Sequence, residues 1–214
     1  RRELYNLNED PSEQNNVIDE NPQIYKKLAR LLNEDLEEDT IGKVFSADFE
    51  DDEYYQWVMN GGFIKQNGKY SSATADYNIS TVDGQLFYDT AIKADISVTG
   101  SGRAGVVFRA NCISSANKAF RGYSAVVNPQ EGKAELVKLT SNYAYTIASA
   151  DIEVGQSFCL EVISDGDEIK IYVDGVLALT HYDEAYLKGT IGVFADYATA
   201  DFESFIVKGI EGSR

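Results

Sequence analysis

Ser157-Phe-Cys-Leu-Glu-Val-Ile-Ser-Asp-Gly-Asp-Glu-Ile-Lys-Ile-Tyr-Val-Asp-Gly-Val-Leu-Ala-Leu-Thr180 contains three short apolar and β-branched runs, Phe158–Ile163, Glu168–Val173 and Val176–Thr180, joined through Asp165-Gly166 and Asp174-Gly175. Asp-Gly readily takes the positive φ values of a type I′ turn, so the stretch predicts a three-stranded antiparallel meander. In its middle strand Ile169, Ile171 and Val173 alternate with Lys170 and Tyr172, as in a sheet with one buried face.

Working outward, the same signature of short β-branched and aromatic runs broken by turn residues holds from Val44 onward. Further strands are expected at Val44–Glu50, Leu86–Val98, Ala104–Ala110, Gly122–Asn128, Ala134–Leu139, Thr190–Ala195 and Asp201–Lys208. About ten antiparallel strands in this length imply two packed sheets, an all-β sandwich of jelly-roll type. Residues 1–40 read differently. Asn21-Pro22 supplies a capping residue and a proline at the first helical position, and Ile24, Leu28, Leu31, Leu32 and Leu36 recur at helical spacing. A helix is expected from about 22 to 37, with a leucine stripe that must dock on some surface. The division drawn is a helical extension over 1–42 and a sandwich domain over 43–214.

With 214 residues, 14 Tyr and 10 Phe, the chain can bury a substantial core. Its formal charge of −16 argues against partners that are polyanions, so neither nucleic acid nor an anionic membrane surface is expected. It has no apolar run long enough to span a bilayer. It starts at Arg1-Arg2 without Met, as an excised piece whose targeting sequence lay upstream would. Cys112 and Cys159 are too few for a disulfide scaffold; they either bridge each other or are two small buried thiols.

Several motifs fail on context. Gly100-Ser101-Gly102-Arg103-Ala104-Gly105 has the glycine spacing of a dinucleotide loop, but Val106-Val107-Phe108 continues it as a strand, not as the helix that receives a pyrophosphate. The single histidine, His181, has no Ser or Cys motif to partner it. No strand carries the alternating Glu-x-Asp-x-(x)-Glu carboxylates of sandwich glycosidases. Asn78-Ile79-Ser80 fits a glycosylation acceptor, a weak signal on three residues. Asp48 and Glu50 at the first strand could lie beside Asp201 at the last and together hold Ca²⁺. A sugar site would need an aromatic platform and polar side chains forking onto hydroxyls. The candidates are Trp57, Arg109, Asn111, Arg121, Tyr123, Asp196 and Tyr197. Arg109 either projects from a sheet face toward a ligand or pairs with an acidic neighbour.

Two resemblances add to this reading. Glu3-Leu4-Tyr5-Asn6-Leu7, Asp10-Pro11, Glu13 and Asn16 resemble the C-terminal signature of secreted sulfatases, followed there by a terminal helix. The Cys/Ser-x-Pro-x-Arg sequence of their catalytic core has no match here, so sulfate-ester hydrolysis by that route is excluded for this chain. Asp48-Phe49, Gly61-Gly62-Phe63, Asn67-Gly68, Ala104 to Arg109, Tyr123, Ile171 to Gly175, Gly189 to Val193 and Ala200-Asp201-Phe202 resemble the concanavalin A-like lectin and glucanase superfamily. Within it the likeness is to levan-binding modules of exo-levanases, laminin-G-like domains and 3-keto-disaccharide hydrolase domains. The resemblance implies a noncatalytic module that binds glycan, often with a structural calcium. It would sit in a secreted, periplasmic or cell-surface bacterial hydrolase, a sulfatase or fructan hydrolase, whose catalytic domain lies upstream. The alternatives are a glycosidase of the 3-keto-disaccharide type and a structural assembly domain.

Overall fold

The computed structural model describes residues 4–17, 20–21, 24, 40–49, 57–60, 62–72, 77–114, 119–141 and 143–212. The chain divides into two units, Arg1–Asp39 and Thr40–Arg214. In the first, the Leu4–Val17 segment closes on itself. The Val17 amide donates to the Leu4 carbonyl at 2.8 Å, the Leu4 amide donates to Asn16 Oδ1 at 2.9 Å, and the Asn15 amide donates to Asp10 Oδ2 at 2.6 Å. Leu4–Val17 thus forms a hydrogen-bonded loop, in which Asn6 and Asp10 turn the backbone. The helix expected at about 22–37 lies outside the described residues except for Ile24, which is exposed.

In the second unit the described elements are strands, in two antiparallel sheets. Sheet A runs β13 (Val176–Tyr182), β12 (Glu168–Val173), β11 (Ser157–Asp165), β6 (Thr90–Thr99), β15 (Thr199–Gly209), β4 (Lys69–Ser72) and β3 (Phe63–Gln66), with β1 (Val44–Ala47) also paired to β15. Sheet B runs β10 (Tyr143–Asp151), β9 (Lys133–Ser141), β8 (Ala119–Asn128), β7 (Arg103–Ser114), β14 (Thr190–Asp196), β5 (Asn78–Val82) and β2 (Trp57–Asn60). The 157–180 meander forms, with Asp174 and Gly175 both at positive φ in its second turn; in the first, Asp165 stays in the strand opposite Glu168, so Gly166, at positive φ, and Asp167 make the turn in place of Asp165-Gly166.

One core lies between the sheets. Ile92, Ile96, Leu160, Val162, Ile169, Ile171, Phe202 and Phe205 come from sheet A, and Val106, Phe108, Tyr123, Ala125, Leu136, Ile191 and Val193 from sheet B. Each Val, Leu, Ile or Phe among them contributes about 1.5–3 kcal/mol on burial. A second buried cluster, including Ile79, Val107, Phe120, Val126, Val137, Leu139 and Phe194, occupies the opposite face of sheet B. Strands β5 and β14 are therefore almost wholly buried and lack the alternation that marks β12. Cys159 is a free, half-buried thiol, so it does not bridge Cys112.

Candidate functional site

The site is set up by an irregularity in β7. Phe108 pairs with Tyr123 and Asn111 with Arg121, so Arg109 and Ala110 together face the single residue Gly122. This is a β-bulge, and Arg109 adopts φ 48° within it. Bulge and turn conformations of this kind are costly for a residue with a Cβ, so they persist only where surrounding contacts hold them. The contacts here are extensive. Arg109 is 1% exposed. Its Nε donates to the Tyr88 carbonyl at 3.2 Å, Nη1 to the Gly166 carbonyl at 2.7 Å and the Tyr186 carbonyl at 3.4 Å, and Nη2 to Asp89 Oδ1 at 2.8 Å. Burial draws the proton affinity of the guanidinium down and Asp89 opposes this, but arginine stays charged. Arg109 therefore fastens three connections, those before β6, between β11 and β12, and between β13 and β14.

Tyr123 reinforces the same end of the sandwich. Its hydroxyl donates to Asp183 Oδ1 at 2.5 Å and accepts from the Tyr186 amide at 3.2 Å, while Lys138 Nζ reaches Asp183 Oδ2 at 2.6 Å. Burial first, and then the bond to Asp183, push the Tyr123 phenol up, so it remains a donor. Burial alone would also raise the Asp183 carboxyl, but hydrogen bonds from Lys138, Tyr123 and the Ala185 amide outweigh it and hold the group below the ordinary aspartate range. A carboxyl with a lowered folded-state pKa stabilises the fold fully above its unfolded value of about 4, and the contribution is lost as pH falls through the lowered value. Asp183→Asn is expected to shrink the gap between urea midpoints measured near neutrality and near pH ~3. A gap of wild-type size would remove this role.

Above these fastenings, strand pairing lays out an open row. Asn111 pairs with Arg121, Arg121 with Thr140 and Thr140 with Tyr143, so the four share one face of β7, β8, β9 and β10. The next row is Phe108, Tyr123, Lys138 and Tyr145 by the same registers. Phe108 and Tyr123 are buried, whereas Tyr143 and Tyr145 are 65% and 53% exposed. Their rings stack at 6.0 Å and 30°. Asn111 and Arg121 are exposed, and Thr140 and Lys138 are half-buried. The result is a shelf with two tyrosine rings at one side and an amide, a guanidinium, a hydroxyl and an ammonium in reach. A cleft of ≈ 210 Å³ between the Asp83–Leu86 connection, Asn111 and Thr190 continues it. That volume is below the roughly 300–1,000 Å³ that encloses a drug-sized ligand, so a larger ligand would lie along the shelf.

The sequence candidates divide among several places. Asn111 and Arg121 belong to the shelf, and Tyr123 lies beneath it. Arg109 is the buried fastening just described, the acidic-neighbour reading of the two the sequence allowed. Trp57 is half-buried in an aromatic group, with ring centroids 5.0 Å from Tyr70, 5.8 Å from Phe49 and Phe205, and 6.0 Å from Phe45. Asp196 and Tyr197 sit at the far end of β14, about 20 Å from Thr190 at the rise of a strand. There Asp196 accepts from Arg103 at 3.1 Å, while Tyr197 is 67% exposed. The shelf residues Tyr143, Tyr145, Thr140 and Lys138 escaped sequence reasoning. The signal available was the adjacent Tyr-x-Tyr, which gains meaning only once β10 is paired with β9.

For the metal candidates, β1 does lie against β15, with Ala47 opposite Phe205. Asp201 faces Ser71 on β4 and lies 3.9 Å from Lys69. Asp48 is exposed, and Glu50 lies outside the described residues. Among the described residues no group of three or more His, Cys, Asp or Glu side chains is placed to hold a metal ion. No helix among them is long and apolar enough to cross a membrane.

Known proteins share this architecture. Levanase of Bacillus subtilis (strain 168) is 27% identical over 143 residues, covering 64% of this chain and 20% of the levanase, so the chain spans about one fifth of that relative. The carbohydrate binding module CBM66 from Bacillus subtilis superposes with a TM-score of 0.65 at 21% identity, covering 72% of this chain and 96% of the module. A Bacillus subtilis protein of unknown function with a galectin-like fold superposes with a TM-score of 0.61 at 16% identity, covering 77% and 94%. These likenesses establish the lectin-like two-sheet sandwich as the fold. Residues 39–208, well over half of the sequence, match the model of one family, and the chain belongs to that family, the 3-keto-alpha-glucoside-1,2-lyase-like domains.

Proposed function

We propose that the sandwich is a noncatalytic carbohydrate-binding module, and that the shelf of Asn111, Arg121, Thr140, Tyr143 and Tyr145 receives the glycan. The observation that carries this reading is the row itself: exposed, stacked tyrosines lie beside hydrogen-bonding side chains on rigid strands. A sugar ring has an apolar face that packs on an aromatic ring and an equatorial belt of hydroxyls that needs forked donors and acceptors. Likeness to a carbohydrate binding module and to a levanase supports the same conclusion. In this proposal the module belongs to a secreted or surface-bound bacterial hydrolase, a sulfatase or fructan hydrolase, with the catalytic domain upstream. Holding the enzyme on its polysaccharide raises the effective substrate concentration even when each contact is weak.

Titration calorimetry against levan and a panel of plant and algal oligosaccharides tests the reading. Tyr143→Ala and Tyr145→Ala are each expected to weaken binding about tenfold, ~1.4 kcal/mol, with little change in unfolding midpoint because both rings are exposed. Wild-type affinity in both variants would refute the shelf as the site. The calcium expectation is carried with the proposal: Asp48, Glu50 and Asp201 would hold the ion, and affinities equal in Ca²⁺ and in a chelator would remove it.

The family name favours a second reading, lyase or hydrolase chemistry on a keto-glucoside. Such chemistry needs a carboxyl free to exchange a proton, whereas Asp183 is held ionised by three donors and Asp89 is bound to Arg109. Release of sugar from a 3-keto-glucoside by the purified chain would favour this reading over the first.

A further inference from the structure

We infer that the shelf selects glycans bearing an isolated carboxylate or sulfate group, which Arg121 receives. The inference rests on the sugar-binding role proposed for the shelf and adds the charge of its ligand. On a chain of charge −16 cations are outnumbered, and many of those described are held by carboxylates. Arg103 meets Glu135 and Asp196, Arg109 meets Asp89, Lys69 meets Glu203, Lys133 meets Asp151, Lys138 meets Asp183 and Lys170 meets Glu168. Arg121 is exposed and pairs with no carboxylate among the described residues, although it stands in the middle of the row between Asn111 and Thr140.

The neighbouring charges leave it uncompensated. Lys138 with Asp183 and Arg109 with Asp89 are closed pairs, and Lys188 donates to the Tyr88 hydroxyl at 3.1 Å. Glu184 is exposed in the connection that follows β13. A guanidinium presents parallel donors that match the two oxygens of a carboxylate or a sulfate, which a neutral hydroxyl cannot satisfy together. Asn111 and Thr140 flank Arg121 and Tyr143 stands one strand beyond Thr140, so the charged group would be read on a sugar ring that reaches along the row to the tyrosines. A single guanidinium in the row, on a strongly negative molecule, recognises one charge. A densely charged polymer meets the repulsion of the whole chain.

Binding of the whole chain to arrayed oligosaccharides in matched triplets tests this, each triplet comprising a neutral sugar, its uronic acid form and its sulfate ester. The expected result is at least tenfold tighter binding of one charged form than of its neutral counterpart, and the preferred form identifies the anion. Arg121→Gln should abolish the preference, so that the charged and neutral forms bind alike, and Arg121→Lys should recover part of it. Equal binding of charged and neutral forms, a preference untouched in Arg121→Gln, or binding to heparin as tight as to the singly charged sugar would each overturn the inference while the sugar-binding reading stands. Failure of every triplet to bind would overturn both.

Discussion

Arg109→Ala is expected to lower the unfolding free energy by about 3–5 kcal/mol, the cost of breaking a buried ion pair by removing one partner. The substitution leaves Asp89 buried at 4% exposure with no counter-charge, although its Oδ1 still accepts the Gly166 amide at 2.9 Å. It also strips donors from the carbonyls of Tyr88, Gly166 and Tyr186. Asp89→Ala should cost a similar amount for the converse reason. The double variant Arg109→Met with Asp89→Leu should lose much less than the two single losses added, because no charge is then stranded. Urea denaturation of the four proteins reads these differences directly. A loss below about 1 kcal/mol in Arg109→Ala would mean that the three connections are held by their apolar packing alone.

Gly189→Ala carries the second large effect, about 1–3 kcal/mol or more, because an added methyl would overlap backbone and not a side chain that can turn away. A Cβ at Gly189 would lie 2.4 Å from the Ala110 amide nitrogen and the Arg109 carbonyl carbon. On the other side of the bulge, a Cβ at Gly122 would lie 2.6 Å from Ala110 Cα, and Gly122 also has φ 147°. The bulged pair is thus gripped between two glycines, and a methyl on either must push β7 aside. Because Asn111 and Arg121 pair across that step, the same substitutions should weaken glycan binding as well as stability. Gly155→Ala is the control: a Cβ there meets nothing nearer than 3.8 Å, so thermal midpoint and binding should stay near wild type. A Gly189→Ala protein as stable as this control would mean that the bulge is not tightly confined.

The fold was readable where chain chemistry is local. Asp165-Gly166-Asp167 and Asp174-Gly175 dictate hairpins regardless of surroundings, and the strands they join came out as expected. Strands β2, β3, β4, β5 and β10 were not anticipated. Phe63–Gln66 and Lys69–Ser72 are short and partly polar, and in Asn78–Val82 all positions are buried, so no alternation survives to be seen. Strand β7 extends to Ser114 instead of ending at Ala110, because a bulge carries the pairing past Arg109. The site was less legible for the same reason. Arg121 and Asn111 could be singled out as polar groups in strands, but Tyr143 joins them only through registers spanning four strands. Whether Arg109 faced solvent or an acidic partner depended on that bulge, which no pattern in Gly105–Arg109 announces.

Consecutive strands β14 and β15 occupy inner positions in different sheets, flanked by β7 and β5 in one and by β6, β4 and β1 in the other. As the chain emerges during synthesis, both layers therefore keep an open seam until Thr190–Gly209 arrives, and the partners of that segment were made long before. Closure of the sandwich is consequently a late, long-range event, which places folding toward the millisecond-to-second regime of topologically complex β proteins and gives chaperones a defined interval in which to act.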